Sequence, residues 1–433
     1  MKYYSLNRQS SVVDFEQATV AGQAPDKGLY FPESIPKFKS SFFDDIENIN
    51  DADLAFRVIR PYTGSSLPEN ELYRIVQETI NFPIPLQPIT DAIYSLELFH
   101  GPTLAFKDVG ARFMSRCLGY FSRNKREKVT VLVATSGDTG GAVANGFYEV
   151  EGVDVVILYP QGKVSLVQEK QLTTLGKNIT ALEIKGSFDD CQAIVKQAFA
   201  DEDLRKKYTL TSANSINVAR WLPQQFYYLF AYKQWPDKNN PPVISVPSGN
   251  FGNICAGLLA HVSGLPVKKF IAACNANRVV TDFLQSREYH PRKAIPTISN
   301  AMDVGAPSNF QRILELFGHQ FVELENVLSS YSVTDRETRQ AIKDVYEARQ
   351  YILDPHGAVG YQALARFLST HGGNMGILLE TAHPVKFYDV VEPVIGKPVQ
   401  LPEAVELIMQ RPKLAMSLPN DFRAVKDCLF ARG

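Results

Sequence analysis

The stretch VTVLVATSGDTGGAVANGFYEV, residues 129–150, combines a strand pattern, a glycine-rich loop and a helix pattern. Residues 129–134 form a mostly apolar, β-branched run, which is typical of a strand buried on both faces. The residues after the loop have the composition of a helix. In open α/β sheets, ligands bind where a strand ends and the next helix begins. The stretch therefore predicts an α/β fold with a candidate ligand site at residues 135–141.

The same order of elements recurs along the chain. Further apolar strand patterns, most of them followed by helix patterns, are VDVVIL (153–158), ITALEI (179–184), VISVP (243–247), FIAAC (270–274) and GILLET (376–381). This alternation predicts two open, twisted parallel sheets that are covered by helices on both faces. The first 80 or so residues lack the alternation. We predict an N-terminal appendage (1–85), a small α/β domain (111–239) and a large domain (86–110 and 240–433).

Composition and charge argue against several classes of protein. The 433 residues are 45% hydrophobic and carry a formal net charge of −1, which leaves no electrostatic footprint for nucleic acid or an anionic membrane. The N-terminus lacks the apolar core of a secretory signal, and no apolar run is long enough to span a membrane. The cysteines form no CxxC motif, and the histidines have no metal-ligand spacing. These features predict a cytoplasmic protein without a metal site, and both monomer and dimer remain open.

Two glycine-rich loops follow predicted strands, TSGDTGG (135–141) and SGNFGN (248–253). Glycines let the backbone approach an anion closely, and the N-terminus of the following helix attracts negative charge. Neither loop matches G-x-G-x-x-G or G-x-x-x-x-G-K-[ST], which argues against dinucleotide and P-loop nucleotide binding. Each loop taken alone is also compatible with a plain strand-to-helix turn.

A lysine stands at the end of an apolar run in HGPTLAFKD, residues 100–108. Apolar surroundings lower the pKa of an amine such as that of Lys107, and a neutral amine can form a Schiff base with a carbonyl. The alternative is a lysine whose stem packs while its charge reaches solvent. A reactive lysine and two anion-binding loops together are what a pyridoxal phosphate site needs.

With these features, the chain resembles a known family, the threonine synthases, which are fold-type II pyridoxal-phosphate enzymes. The resemblance is to the longer form found in many bacteria and fungi. It is carried, in family order, by GLYFP (28–32), LFHGPTLAFKD (98–108), ATSGDTGGAV (134–143), SANSINVAR (212–220), PSGNFGN (247–253), SNAMDVGAPSN (299–309) and ETAHPVKF (380–387). One such stretch would be a weak signal, whereas all of them in order are highly specific.

The resemblance implies a cofactor site around Lys107, which would hold pyridoxal phosphate as a Schiff base. The residues that would cradle the cofactor phosphate are Ser248, Gly249, Asn250, Phe251, Gly252 and Asn253. Thr381 would meet the pyridine nitrogen. Many fold-type II relatives have Asn at the position of Asp138, where it contacts the ring hydroxyl, so the contact of Asp138 with the ring stays open.

The resemblance also implies a substrate site and a reaction. Ser136, Asp138 and Thr139 would bind the amino-acid end of the substrate, and Asn214, Ser215 and Arg220 would bind its phosphate. The implied reaction converts O-phospho-L-homoserine and water to L-threonine and phosphate by γ-elimination and β-addition of water, the last step of threonine biosynthesis.

Other interpretations remain open from the sequence. The chain could be another fold-type II lyase or dehydratase, a phospho-amino-acid lyase, or a catalytically silent relative that binds the cofactor or a metabolite. The same stretches contain Asn300, Asp303, Asn309 and His383, which either contact a ligand or only shape their loops.

Overall fold

The computed structural model describes residues 1–123 and 128–431, and its N-terminal region is a small antiparallel sheet with helices. The strand order is β2 (Val13–Asp14), β1 (Lys2–Ser5), β3 (Tyr30–Pro32). A capping box of Asp14 and Gln17 starts the first helix. The elements of this region are β1 (Lys2–Ser5), β2 (Val13–Asp14), α1 (Phe15–Ala21), β3 (Tyr30–Pro32), α2 (Ser40–Asp44), α3 (Asp51–Thr63) and α4 (Glu69–Thr79).

The chain then alternates between strands and helices. The elements up to residue 234 are β4 (Leu86–Pro88), β5 (Ile93–Glu97), α5 (Lys107–Ser122), β6 (Val129–Ala134), α6 (Asp138–Phe147), β7 (Val153–Pro160), α7 (Leu166–Thr173), β8 (Ile179–Lys185), α8 (Phe188–Ala200), α9 (Glu202–Lys207), β9 (Thr209–Thr211), α10 (Val218–Trp221) and α11 (Gln225–Gln234).

The alternation continues to the end of the described chain. The remaining elements are β10 (Val243–Pro247), α12 (Gly252–Val262), β11 (Lys269–Cys274), α13 (Val279–Ser286), α14 (Phe310–Leu316), α15 (Phe321–Val327), β12 (Leu328–Ser332), α16 (Asp335–Arg349), α17 (Pro355–Thr370), β13 (Gly376–Glu380), α18 (Tyr388–Ile395), α19 (Glu403–Met409), β14 (Ala415–Pro419) and α20 (Phe422–Ala431). Single 3₁₀ turns lie at Ile46–Asn48, Gly64–Ser66, Leu222–Gln224, Asn300–Met302 and Pro384–Phe387.

Two sheets form the body of the molecule. The larger has the order β12-β11-β10-β13-β5-β4 and is parallel except for the edge pair β4 and β5. The smaller has the order β14-β8-β7-β6-β9 and is parallel throughout. Every residue of β6, β10 and β13 is buried, as expected for central strands covered on both faces. The predicted α/β class with two parallel sheets and an N-terminal appendage is confirmed.

The division into domains differs in two places from the sequence-based prediction and remains a proposal. Strand β14 was assigned to the large domain but pairs with β8 of the smaller sheet. Helix α11 was assigned to the small domain, but the hydroxyl of its Tyr228 bonds to Asn253 at the start of α12. Strand pairing and helix packing, rather than chain order, decide where a segment belongs. We therefore propose that the large domain includes α11 and that the chain returns to the small domain before β14.

The helical segment before Trp235 is interrupted. It divides into α10, a 3₁₀ turn and α11. Pro223 lies in the turn, and a proline lacks the N–H that an α-helix needs at that position.

Among the described residues, no helix is long and apolar enough to cross a membrane.

Candidate active site

Lys107 is the first residue of helix α5, at the point where the chain leaves the larger sheet. The preceding residues are held against the end of β13, because the Phe106 N–H donates to the carbonyl of Thr381 at 2.8 Å. Leu104 adopts a left-handed backbone with a φ of 57°, and its carbonyl accepts from the His383 N–H at 3.0 Å. Non-glycine residues rarely adopt this conformation, and it persists only where the surrounding structure enforces it.

The amine of Lys107 is more acidic than that of an ordinary lysine. Burial lowers its pKa to about 8, and the charges of Lys386 and Arg220 act in the same direction, whereas Asp138 opposes them. An ordinary lysine has a pKa of about 10.4, so roughly one amine in a few thousand is neutral at pH 7. With a pKa of about 8, about a tenth is neutral. The lowered pKa suits a nucleophilic role for Lys107, which is half-buried rather than fully exposed.

Asp138 begins helix α6 and is buried beside this lysine. Its Oδ1 accepts from Lys386 Nζ at 2.8 Å and from Gln168 Nε2 at 2.9 Å. Burial alone would raise the pKa of the Asp138 carboxyl, but the Lys386 and Lys107 charges outweigh it and hold the pKa below its usual range. Asp138 is therefore a carboxylate, which accepts hydrogen bonds but donates none.

The loop before Asp138 is shaped by its own polar groups. The Thr135 hydroxyl accepts from the N–H groups of Gly137 at 3.0 Å and Gly140 at 2.9 Å. Gly137 has a φ of 137°, and a Cβ there would lie 2.5 Å from the Gln168 side chain. The half-buried Ser136 and Thr139 flank this turn. A glycine is thus required at 137 both by the backbone conformation and by the close approach of Gln168.

The second glycine-rich loop carries the chain from β10 to helix α12. Phe251 has a φ of 60° and precedes the helix without a side-chain cap hydrogen bond. A Cβ on Gly249 would lie 2.7 Å from the Cα of Met302, so the loop packs tightly against another backbone segment. Among the described residues, the buried Nδ2 amide of Asn253 has no hydrogen-bond partner. An uncapped helix N-terminus with an unsatisfied side-chain donor is a site for an anion.

The side chains of Asn250 and Ser215 join this loop to the chain segment before α10. Asn250 Nδ2 donates to Ser215 Oγ at 2.8 Å. The Ser308 N–H donates to Asn250 Oδ1 at 2.7 Å, and Asn309 Nδ2 donates to the Asn250 carbonyl at 3.1 Å. Ser215, expected at the substrate phosphate, thus also contacts the loop expected at the cofactor phosphate. Asn214 lies next to it and is half-buried.

Arg220, on helix α10, is a buried cation without an acidic partner among the described residues. One of its terminal nitrogens donates to the carbonyl of Ala213. Its buried Nε has no hydrogen-bond partner anywhere in the described residues. Burial lowers the pKa of its guanidinium to about 10. Gly110, three residues after Lys107, packs against it, since a Cβ there would lie 3.1 Å from Arg220 Nε. The Arg220 charge also lowers the pKa of Lys107, so the guanidinium acts on the reactive amine electrostatically.

A second buried arginine shows the contrast. Arg312 donates to the carbonyls of Tyr30 and Ile216 and to Asn309 Oδ1, at distances from 2.6 to 3.2 Å. Its guanidinium lies 4.4 Å from the centroid of the Trp221 ring. Arg312 is therefore a structural residue that ties the loops together, whereas Arg220 keeps a donor that has no partner among the described residues.

Of the remaining residues in the family stretches, some have a structural role and others have no role that their contacts assign. Asp303 accepts from the Thr297 N–H at 2.9 Å and from Asn275 Nδ2 at 2.9 Å, so it shapes its loop. His383 accepts from the Val385 N–H at 3.1 Å as a helix cap, and burial lowers the pKa of its ring to about 4. Thr381 is buried directly after β13. The described structure has no group of three His, Cys, Asp or Glu residues that could hold a metal ion.

Sequence reasoning missed two residues of the site, Lys386 and Gln168, which hold the Asp138 loop together with Thr135. Asn309, whose role the sequence left open, holds the second loop. For Lys386 a signal existed, because it stands in the apolar run PVKF as Lys107 stands in LAFKD. Gln168 also forms a capping box with Ser165 at the start of α7. The additional contact of Gln168 with Asp138 spans 30 residues and has no local pattern.

Comparison with known proteins agrees with these observations. Three family models match the chain: "Pyridoxal-phosphate dependent enzyme" over residues 82–379, "Threonine synthase N terminus" over residues 2–80 and "Threonine synthase, C-terminal" over residues 357–429. Threonine synthase of Serratia marcescens is 45% identical over 430 residues, which is 99% of both chains.

Solved structures agree as well. The crystal structure of threonine synthase from Escherichia coli matches with a TM-score of 0.93 and 42% identity, and it covers 100% of both chains. The structure of threonine synthase from Brucella melitensis with bound pyridoxal phosphate matches with a TM-score of 0.93 and 35% identity, covering 99% of this chain and 98% of that one.

The fold is that of a pyridoxal-phosphate-dependent enzyme of fold-type II, as expected from the sequence. The residues fit that cofactor, because the structure supplies an amine of lowered pKa and an uncapped helix N-terminus with an unsatisfied donor. Within this class, the chain belongs to the threonine synthase family.

Proposed function

We propose that the chain converts O-phospho-L-homoserine and water to L-threonine and phosphate, as the last step of threonine biosynthesis. The observation that carries the proposal is a pair of buried donors without partners among the described residues, Asn253 Nδ2 at the start of α12 and Nε of Arg220, whose charge also lowers the pKa of Lys107. The N-terminus of α12 is suited to the cofactor phosphate, and the unsatisfied Arg220 is suited to a second phosphate. A dehydratase or lyase acting on an unphosphorylated amino acid has no need for the second site.

The side chains have distinct proposed roles. When bound, pyridoxal phosphate supplies an aldehyde that condenses with amines and a ring that accepts electrons. Lys107 holds the cofactor and then, as a free amine, removes and returns the substrate's α-proton, for which a pKa of about 8 is well suited. Thr381 would hold the ring nitrogen with a neutral hydroxyl, which would not favour a protonated ring as a carboxylate would.

Substrate binding divides between two loops. Ser136, Asp138 and Thr139 bind the amino-acid end, and Asn214, Ser215 and Arg220 bind the phosphate until it leaves. Arginine suits this work because its planar guanidinium donates two parallel hydrogen bonds to phosphate oxygens. Ser248, Gly249, Asn250, Phe251, Gly252 and Asn253 hold the cofactor phosphate.

We also propose a cytoplasmic location and a small-molecule substrate rather than nucleic acid. Cys117, Cys191, Cys255 and Cys274 are buried free thiols, which suits a reducing compartment. The net charge of −1 supplies no attraction for a polyanion. Whether the chain is a monomer or a dimer is left to a sedimentation measurement.

Product analysis tests the proposal. The holoenzyme is incubated with O-phospho-L-homoserine, with phosphate followed by phosphorus NMR and amino acids by chromatography. Equal amounts of threonine and phosphate are expected, and L-serine or L-threonine as substrate should yield no keto acid at a comparable rate. Homoserine or a keto acid as the main product would contradict the proposal. A holoenzyme inert toward all of these substrates would instead favour the silent binding protein.

A further inference from the structure

A buried lysine, Lys386, supports the Asp138 loop and has no part in the proposed reaction. Lys386 has no exposed side-chain surface. Its Nζ lies 2.8 Å from Asp138 Oδ1 and donates to the carbonyl of Thr103, also at 2.8 Å. It therefore connects three segments: the turn after β13, the loop before Lys107 and the loop after β6. Two of these belong to the larger sheet and one to the smaller.

The ion pair between Lys386 and Asp138 determines whether the Asp138 carboxylate is free to pair with Lys107. The pKa of Lys107 responds to the charges of Asp138, Lys386 and Arg220. Of these three side chains, only Asp138 is an acid. Without Lys386, the buried carboxylate of Asp138 would have Lys107 as its nearest available cation, since these two ammonium groups are the charges that act on it. A buried carboxylate paired with Lys107 would hold that amine in its protonated, unreactive form.

We propose that Lys386 is a positioning residue that occupies Asp138 and so keeps it from pairing with Lys107, which leaves the Lys107 amine neutral and reactive. Gln168 completes the arrangement, because its Nε2 donates to the same Oδ1 of Asp138 at 2.9 Å. This inference rests on the proposed role of Lys107 as the cofactor-binding amine. It adds that the acidity of this amine is set by a second lysine on a different segment of the chain.

The test measures how fast the apoenzyme takes up pyridoxal phosphate as a function of pH. Attachment forms a carbon–nitrogen double bond between the amine and the aldehyde carbon and releases the aldehyde oxygen as water, so its rate follows the neutral fraction of Lys107. The rate is read from the absorbance of the attached cofactor. Borohydride reduction and peptide mapping identify the lysine. The free cofactor also changes its protonation with pH, but it does so identically for every variant. This contribution therefore cancels when the pH midpoints of the variants are compared.

The two single variants have opposite expected signs. Lys386→Met frees Asp138 to pair with Lys107, so the midpoint of the pH profile should rise by about one unit or more. Asp138→Asn leaves Lys107 facing only Lys386 and Arg220, so the midpoint should fall below that of the wild type. Lys386→Arg, which keeps the charge, should stay closer to the wild type than Lys386→Met does.

The double variant Lys386→Met with Asp138→Asn removes both charges and should return the midpoint toward the wild-type value. An unchanged midpoint in folded Lys386→Met, or a double variant as displaced as Lys386→Met alone, would overturn the inference. If Lys386→Met does not fold, an unchanged or raised midpoint in Asp138→Asn overturns it. Peptide mapping that finds the cofactor on another lysine in the wild type would refute the assignment of Lys107 itself, which is a separate outcome.

Discussion

The substitution Arg220→Leu separates the two proposed anion sites. It removes a buried guanidinium whose Nε is unsatisfied within the described residues, while leaving the N-terminus of α12 untouched. Hydrogen bonds to a charged group contribute about 1.5–3 kcal/mol each. Loss of one should therefore weaken phosphate-dependent substrate binding roughly 10- to 150-fold, and loss of a two-pronged contact should weaken it more.

The structure also constrains the effect on stability. The hydrogen bond from Arg220 to the Ala213 carbonyl is lost, but so is the cost of burying a cation without an acidic partner. These terms oppose each other, so we expect the melting temperature of the apoenzyme to change by only a few degrees. Arg312→Leu is the contrasting variant, because it removes five hydrogen bonds of a satisfied arginine and should destabilise the fold clearly.

The assay is calorimetric titration of the holoenzyme with a non-reacting phosphonate analogue of the substrate, alongside titration of the apoenzyme with pyridoxal phosphate. Arg220→Leu should lose affinity for the analogue and keep affinity for the cofactor, and Arg220→Lys should fall between it and the wild type. Unchanged analogue affinity, or a loss confined to the cofactor, would refute the assignment of Arg220 to the substrate phosphate.

Three further outcomes are expected. Lys107→Ala should lower turnover by many orders of magnitude and abolish covalent cofactor attachment, as seen by absorbance and borohydride reduction; near-normal turnover without an added amine would contradict it. In the wild-type apoenzyme, the rate of cofactor uptake should rise about tenfold per pH unit and level off above the Lys107 pKa of about 8, because only the neutral amine reacts; a rate still climbing at pH 10 would contradict this pKa. Gly249→Ala places a Cβ 2.7 Å from a backbone atom of Met302, so stopped-flow uptake and equilibrium titration should show cofactor affinity about 10- to 100-fold weaker, whereas the control Gly372→Ala, where a Cβ has open space, should bind normally.

The parts of the fold that depend on local pattern could be predicted from sequence. Residues 129–150 specify a buried strand, a glycine loop and a helix within one short stretch, and the structure has them as β6 and α6 with the loop between. The partner of a strand is a different matter. Strand β14 is a half-exposed edge strand that pairs with β8, more than 200 residues earlier in the chain. The composition of β14 does not indicate which strand it pairs with.

The same limit applies to the site. Lys107 was identifiable because an apolar run around a lysine implies a lowered pKa. Lys386 sits in an equally apolar run, but its partner Asp138 is remote in sequence, so the ion pair could not be inferred. The unsatisfied Nε of Arg220 is likewise a property of three-dimensional packing, because a sequence does not reveal which donors remain without acceptors.

The measurement that tests the proposed reaction most directly is turnover of O-phospho-L-homoserine in oxygen-18 water, with mass spectrometry of both products. Elimination breaks the bond between carbon and oxygen, so phosphate keeps its four original oxygens, and the hydroxyl on Cβ comes from water. The proposal therefore predicts one labelled oxygen in the threonine hydroxyl and none in the phosphate. Labelled phosphate together with unlabelled homoserine would show cleavage of the phosphorus–oxygen bond and would contradict the proposed function, even if Lys107 proved essential.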